Sequence, residues 1–326
     1  MEQQLALVLG ASGGIGGEVA RQLLQAGWQV RALSRRPPAE ANGIEFLQGD
    51  ALVGADVARA ARGCAVIVHA VNPPGYRNWA QQVVPMLRNT IAAAEKNGAL
   101  VVLPGTVYNY GPDAFPVVSE DAPQCPLTRK GALRVEMEDE LAAHAARGGR
   151  VLIVRAGDFF GPQAGNSWFA QGLVKPGQPP SGIANPGRAG VGHSWAYLPD
   201  LAATMVALVK RRAELEPFAR YHFEGFWDAD GEGLARAIQG VAARHGIEAR
   251  IKGFPWWIAP LLAPFHTTMR ELLEMRYLWR EPLRLDNTRL VAELGTEPRT
   301  PLEVAVERTL LGLGCLPAPA LVQEMC

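Results

Sequence analysis

Leu5-Ala6-Leu7-Val8-Leu9-Gly10-Ala11-Ser12-Gly13-Gly14-Ile15-Gly16 decides the fold of this 326-residue chain. Five consecutive apolar residues predict a strand buried on both faces. A helix pattern follows from Ile15 to Gln25, with Val19, Ala20, Leu23 and Leu24 on one face, and Gly27 stops it. Between strand and helix the glycines fall at Gly10, Gly13 and Gly16. A tight turn of this kind needs a residue free to take positive φ. The unpaired N–H groups and dipole of the helix start favour a phosphate. Strand before and helix after make this turn a predicted seat for a dinucleotide pyrophosphate, formed by Gly10, Ser12, Gly13, Gly14, Ile15 and Gly16.

Outward from this turn, short β-rich runs alternate with helical patterns. Strands are predicted at Trp28–Leu33, Ile44–Leu47, Ala65–Ala70, Leu100–Leu103 and Val151–Val154. Helices are predicted at Ala55–Ala61, Asn78–Lys96 and Arg129–Ala146. This alternation predicts an α/β fold: a doubly wound parallel sheet of Rossmann type. After Gly157 the texture changes. Residues 161–192 are rich in Gly and Pro, and six of the eight tryptophans lie beyond residue 150. Helices resume at Leu198–Arg212, Gly233–His245, Pro264–Tyr277 and Pro301–Leu313. We therefore expect a dinucleotide-binding unit over 1–157. A smaller, mostly helical, loop-rich substrate region is expected over 158–326, with about 195–212 returning to the first unit.

Lys plus Arg (32) balance Asp plus Glu (32), and no basic stripe appears, which argues against a nucleic-acid partner. The start, Met1 to Leu5, shows no secretory pattern, and the apolar run Phe254–Phe265 is too short to span a bilayer and carries three prolines. The scattered Cys64, Cys125, Cys315 and Cys326 lack zinc-site spacing and read as free thiols, so a cytoplasmic setting is expected. A small-molecule substrate is the expected partner, with no metal and no membrane, and a homodimer is allowed.

The Gly-x-x-Gly-x-x-Gly turn resembles that of the short-chain dehydrogenase/reductase superfamily, in its extended and atypical, epimerase/dehydratase-like branch. The resemblance covers about residues 5–210, and further segments match in order. Gly49-Asp50, with Ala51, is similar to the position whose carboxylate meets the adenine amino group. Ala70-Val71-Asn72 is similar to the segment that runs beside the cofactor. Val154 to Pro162 and Trp195 to Ala202 resemble two later motifs of the branch.

The second strand ends in Ser34-Arg35-Arg36 with no acid to meet a ribose diol. Positive charge there suits a 2′-phosphate, so NADP is expected over NAD. The superfamily's Tyr-x-x-x-Lys pair puts a phenol and an ammonium on one helix face. Here Lys130 is preceded four residues earlier by Pro126, which cannot transfer a proton; moving the frame to Arg134 puts Lys130 in the phenol's place. The resemblance maps the family's Ser/Thr hydroxyl onto Thr106, with Tyr108, or the extra Tyr110, as an available phenol. Lys130 is expected to touch the ribose. Asp158, Phe160, Trp168, His193 and Trp195 are the substrate-side candidates, and Arg188 is available to a phosphate.

The resemblance thus implies an NADP-dependent oxidoreductase transferring hydride to or from a small carbonyl or alcohol, with an altered proton donor. Two alternatives stand beside it. One is a regulatory or redox-sensing protein that binds NADP(H) without chemistry. The other is a nucleotide-sugar epimerase or dehydratase, against which the missing tyrosine and the lack of a basic cluster count.

Overall fold

The computed structural model describes residues 4–73, 79–165, 167–263, 270 and 273–317. Seven parallel strands form the central sheet: β1 (Leu5–Leu9), β2 (Gln29–Ser34), β3 (Glu45–Gln48), β4 (Val66–His69), β5 (Leu100–Thr106), β7 (Arg150–Ala156) and β11 (Phe218–Phe223). Their order across the sheet is β11-β7-β5-β4-β1-β2-β3. The order reverses between β1 and β4, and such a switch point opens a crevice at the carboxyl ends of the strands.

The pleat sorts β1 by parity. Ala6 and Val8 pack towards α1 (Gly14–Gln25) and α5 (Leu198–Lys210), meeting Val19, Leu23, Leu201 and Met205. Leu7 and Leu9 pack towards α2 (Gly54–Ala60), α3 (Trp79–Asn97) and α4 (Arg129–Ala146), meeting Val57, Val83, Leu87, Met137 and Leu141. Burial on both faces is why the first strand reads as an unbroken apolar run rather than an alternating one.

The remaining strands are short. β8 (Asp158–Phe160) pairs in parallel with β10 (His193–Tyr197), which pairs antiparallel with β12 (Phe226–Asp228). β9 (Gly182–Asn185) pairs with β13 (Arg250–Gly253), and β6 (Val117–Val118) with β14 (Arg284–Leu285). Against these pack α6 (Gly233–Arg244) and a helix over Leu302–Gly312, around Phe160, Trp168, Phe169, Trp195, Tyr197 and Trp279.

Two differences from the sequence reading stand out. β11 was not predicted, because Phe218-Ala219-Arg220-Tyr221-His222-Phe223 breaks the apolar run of a central strand with Arg220 and a buried His222. The loop-like stretch 161–192 contains β9 and a π-helical turn at Phe169–Leu173. The predicted helix Pro264–Tyr277 falls largely outside the described residues; Arg276–Trp279 forms a 3₁₀ turn. Asn78 also lies outside them.

Candidate active site

The glycine turn sits at the switch point. Gly10 has φ +90°, and a Cβ there would stand 2.5 Å from the Ala70 carbonyl oxygen. A Cβ at Gly16 would run into the Gly10 carbonyl. The first turn of α1 can approach the strand ends only because both positions are bare. Gly13 caps α1 without a side chain, and no acid stands in the first turn. The helix start therefore presents backbone donors with no internal anion, an arrangement that fits a phosphate.

On one side of this turn stand the carboxyl ends of β2 and β3. Ser34 donates its hydroxyl hydrogen to the Arg36 carbonyl (2.9 Å), so it shapes the turn that exposes Arg35 and Arg36. Asp50 is half-buried and closes its own turn by accepting from the Leu52 N–H (2.9 Å), with Ala51 buried beside it.

On the other side β4 leads into Ala70-Val71-Asn72, and beyond it lies a cavity of about 190 Å³. Its walls include Asn72, Thr106, Tyr108, Lys130, Asp158 and Trp168. Thr106 ends β5, and its Oγ1 is buried without a hydrogen-bond partner among the described residues. A buried hydroxyl left this way carries a cost unless a ligand meets it. Lys130 enters from the second position of α4, which Thr128 caps by accepting from the Gly131 N–H. Gly131 has no room for a Cβ against the Tyr108 carbonyl, so the helix start lies hard against the Thr106–Tyr108 segment.

That segment is held from behind by a buried polar network. Arg155, on β7, pairs with both Glu138 carboxylate oxygens (2.8 Å each) and donates to the Thr106 carbonyl (2.5 Å). Asn109 donates to Glu138 (3.0 Å). His222 donates from Nδ1 to the Val118 carbonyl (3.1 Å), so its Nε2 accepts from the Tyr110 hydroxyl (3.2 Å). Tyr110 is thus fully buried in the network, and burial pushes its phenol up from the ordinary value. Its hydroxyl is committed away from the cavity; of the two phenols, Tyr108 lines it.

Asp158 closes the far wall. His193 Nε2 lies 2.9 Å from its Oδ2, and Nδ1 lies 3.3 Å from the Leu278 carbonyl oxygen. The ring stacks on Trp279 at 3.8 Å between centroids and 10° between planes. Phe160, expected at the substrate, is packed instead among Phe169, Tyr197 and Phe226, and Trp195, also expected there, against Phe160, His193 and Trp279; Phe159 takes the cavity wall. Arg188 is exposed and is not part of this wall.

Sequence reasoning did not place Arg134 in the site. It is 8% exposed and lines the cavity one turn beyond Lys130. The i, i+4 spacing of the two cations was the available signal. Among the described residues, no helix is long and apolar enough to cross a membrane.

Sheet order, switch point and glycine cradle define a nicotinamide-dinucleotide enzyme of Rossmann type. A family model described as the NAD dependent epimerase/dehydratase family matches residues 6–221, and the chain belongs to that family. Among solved structures, MoeE5 in complex with UDP-glucose and NAD is 18% identical, with a TM-score of 0.73 over 95% of this chain and 98% of that one. UDP-glucuronic acid 4-epimerase from Bacillus cereus, in complex with NAD, is 16% identical, with a TM-score of 0.74 over 95% and 96%. UDP-glucose 4-epimerase from Thermotoga maritima, with UDP-glucose, is 16% identical, with a TM-score of 0.72 over 95% and 98%. At these identities the likeness is one of fold. No curated protein matches the sequence.

Proposed function

We propose that this enzyme moves hydride reversibly between a nicotinamide dinucleotide and an oxygen-bearing carbon of a substrate lodged between Thr106 and Trp168. The observation that carries this reading is the partnerless Thr106 hydroxyl, on a cavity at the same end of the sheet as the glycine cradle. The dinucleotide, when bound, supplies and takes back the hydride. Thr106 orients the substrate oxygen by a hydrogen bond. Tyr108 and Lys130, on the same wall, exchange the proton with that oxygen. Asp158, steadied by His193, accepts from a further substrate hydroxyl, while Phe159 and Trp168 cover the apolar face and exclude water. In this reading residues 1–157 carry the dinucleotide and 158–326 the substrate.

For the substrate, the nucleotide-sugar reading has more support than the small-carbonyl reading, because it agrees with the family and with the ligands of the compared structures. A small carbonyl or alcohol is the second reading. It is favoured by the cavity's volume of about 190 Å³, small beside the usual range of ligand pockets. For the cofactor we favour NADP, because exposed Arg35 and Arg36 end β2 with no acid beside them; NAD, present in the compared structures, is the competing choice.

One experiment separates these readings. Enzyme loaded with NAD or NADP and given UDP-glucose should form the 4-epimer with no net change in nicotinamide absorbance. Enzyme given NADPH and a panel of aldehydes, ketones and quinones should instead consume NADPH if the second reading holds. Calorimetry that finds neither coenzyme bound would sink both.

A further inference from the structure

From Gly253 to Phe265 the sequence carries no charged side chain. The described part of this run, up to Ala263, leaves β13 in successive turns: Ile258 N–H donates to the Pro255 carbonyl, Leu261 N–H to Ile258 and Ala263 N–H to Ala259. Its inner side is anchored. Phe254 and Trp256 pack on Trp168, with ring centroids 6.0 and 5.7 Å away, and the Trp256 indole donates to the Pro186 carbonyl (2.9 Å). Ala259 is buried. Its outer side is formed by Pro255, Trp257, Pro260 and Leu261, all exposed and all apolar. Trp257 at 73% and Leu261 at 66% are the two most exposed large apolar side chains among the described residues. Four residues apart in one helical turn, they share a face.

Adjacent exposed apolar groups on a fixed ledge mark a contact surface. Cations border this one. Exposed Lys252 stands near the end of β13, two residues before Phe254. The Arg276 guanidinium lies over the Trp256 ring, 5.0 Å from its centroid, and exposed Arg280 is close enough to Arg276 to act on its charge. Of the neighbouring acids, Glu248 pairs with Arg250 (3.1 Å) and Glu274 accepts from the Lys130 N–H (3.3 Å); Glu281, beside Arg280, offsets part of the positive charge. We propose that this face, Trp257 and Leu261 with the cations around them, docks on the surface of an anionic lipid bilayer. An indole settles at headgroup level, a leucine reaches the acyl chains, and Lys and Arg meet the lipid phosphates. The run is too short to span, as the sequence reading held, but a segment lying in the interface needs no span. A second copy of this chain is the poorer occupant, because a two-fold contact through this patch sets Lys252, Arg276 and Arg280 against their own copies. Trp168, beneath the run, is also a wall of the cavity, so docking holds the substrate end of the molecule at the membrane.

The full chain is sedimented with large vesicles of phosphatidylcholine alone, and of phosphatidylcholine with phosphatidylserine at roughly three to one. Wild type should pellet with the mixed vesicles, bind the neutral ones several-fold more weakly, and lose part of the mixed-vesicle binding as salt rises. Trp257→Ser with Leu261→Ser should weaken partitioning at least about tenfold. Thermal melts should stay at the wild-type value, because neither side chain is buried. Lys252→Glu with Arg280→Glu should abolish the preference for anionic vesicles, and this pair carries the test should the serine pair not fold. Val117→Ser, which removes a 58% exposed apolar group in β6, should change nothing. A wild type that pellets with neither vesicle overturns the proposal, as does a serine pair or a glutamate pair that binds like wild type. If sedimentation velocity shows a dimer that the serine pair dissolves, with no vesicle binding, the face belongs to a second copy and the lipid assignment falls. None of these measurements needs coenzyme or turnover, so they succeed or fail apart from the proposed function.

Discussion

At the residue scale, the site divides its work among three side chains that one helix start and one strand end bring together. Thr106→Val keeps the shape and removes the hydroxyl. Under the proposed function it should lower kcat/KM by roughly 10- to 100-fold, the order of one lost hydrogen bond to a reacting oxygen. Tyr108→Phe and Lys130→Met, assayed with whichever substrate turns over, separate the two proton candidates. The variant that loses kcat and its pH dependence identifies the acid, and an unchanged rate in Tyr108→Phe removes that phenol from the mechanism.

A second prediction at this scale concerns stability. His69 is buried, and its Nδ1 donates to Thr90 Oγ1 (2.8 Å), whose own hydrogen goes to the Met86 carbonyl. Burial and then the neighbouring Arg134 push its pKa from 6.5 down to about 3. Burial and Arg155 hold His222 well below 6.5 too. Both take up a proton more readily when unfolded. Their contribution is therefore complete above pH 6.5 and is lost as the pH falls below it, for His69 down towards 3. The slope is about 1.4 kcal/mol per pH unit for each histidine. Tm should accordingly drop between pH 7 and pH 5, and His69→Asn, which keeps a donor towards Thr90, should flatten the drop. A Tm level across that range would contradict the argument.

At the scale of elements, the strongest device is the close approach of backbone to backbone. The glycine turn was legible because its physics is local: a positive φ, a crowded carbonyl and a helix start all lie within seven residues. Gly131 was not legible in this way. Its tightest crowding partner, the Tyr108 carbonyl, is more than twenty residues away in sequence, and Pro126, five residues before it, crowds it only because the chain turns into α4 there. The same distinction explains the strands. β1, β4 and β5 announce themselves by unbroken apolar runs. β11 hides because its polar members are satisfied by segments outside the sheet, Arg220 by Asp121 and His222 by Val118 and Tyr110. Around the cavity, Thr106, Lys130, Asp158 and Trp168 were named from the sequence. Phe159 and Arg134 needed the course of a short strand after β7 and the turn of a helix already placed. Gly131→Ala should push α4 off the Thr106–Tyr108 segment. We expect a loss of roughly 1–3 kcal/mol, as for an overpacked core, and a rise in KM measured on the same protein.

At the scale of the whole molecule, the cavity is held where the central sheet, α4 and the later strands meet, and one ion pair joins them. Arg155 on β7 and Glu138 on α4 are 2% and 5% exposed, and through them β5, β7, β11 and α4 share one network. A buried pair is weak evidence for stability in itself, because desolvation opposes the attraction between the charges. Removing one partner is a different matter, since it strands the other charge in the interior. Glu138→Ala leaves the Arg155 guanidinium facing His222 Nε2 and the Thr106 carbonyl with its carboxylate gone. The expected cost is about 3–5 kcal/mol, or roughly 10 °C in Tm for a chain of this size. The double change Glu138→Leu with Arg155→Met removes both charges and should recover much of that loss. It should not restore turnover, because the Thr106 carbonyl then lacks the donor that fixes the hydroxyl above it. Paired melting and rate measurements on the two variants decide the point. If stability and rate return together, the pair matters only for stability; if stability returns alone, the pair sets the position of Thr106.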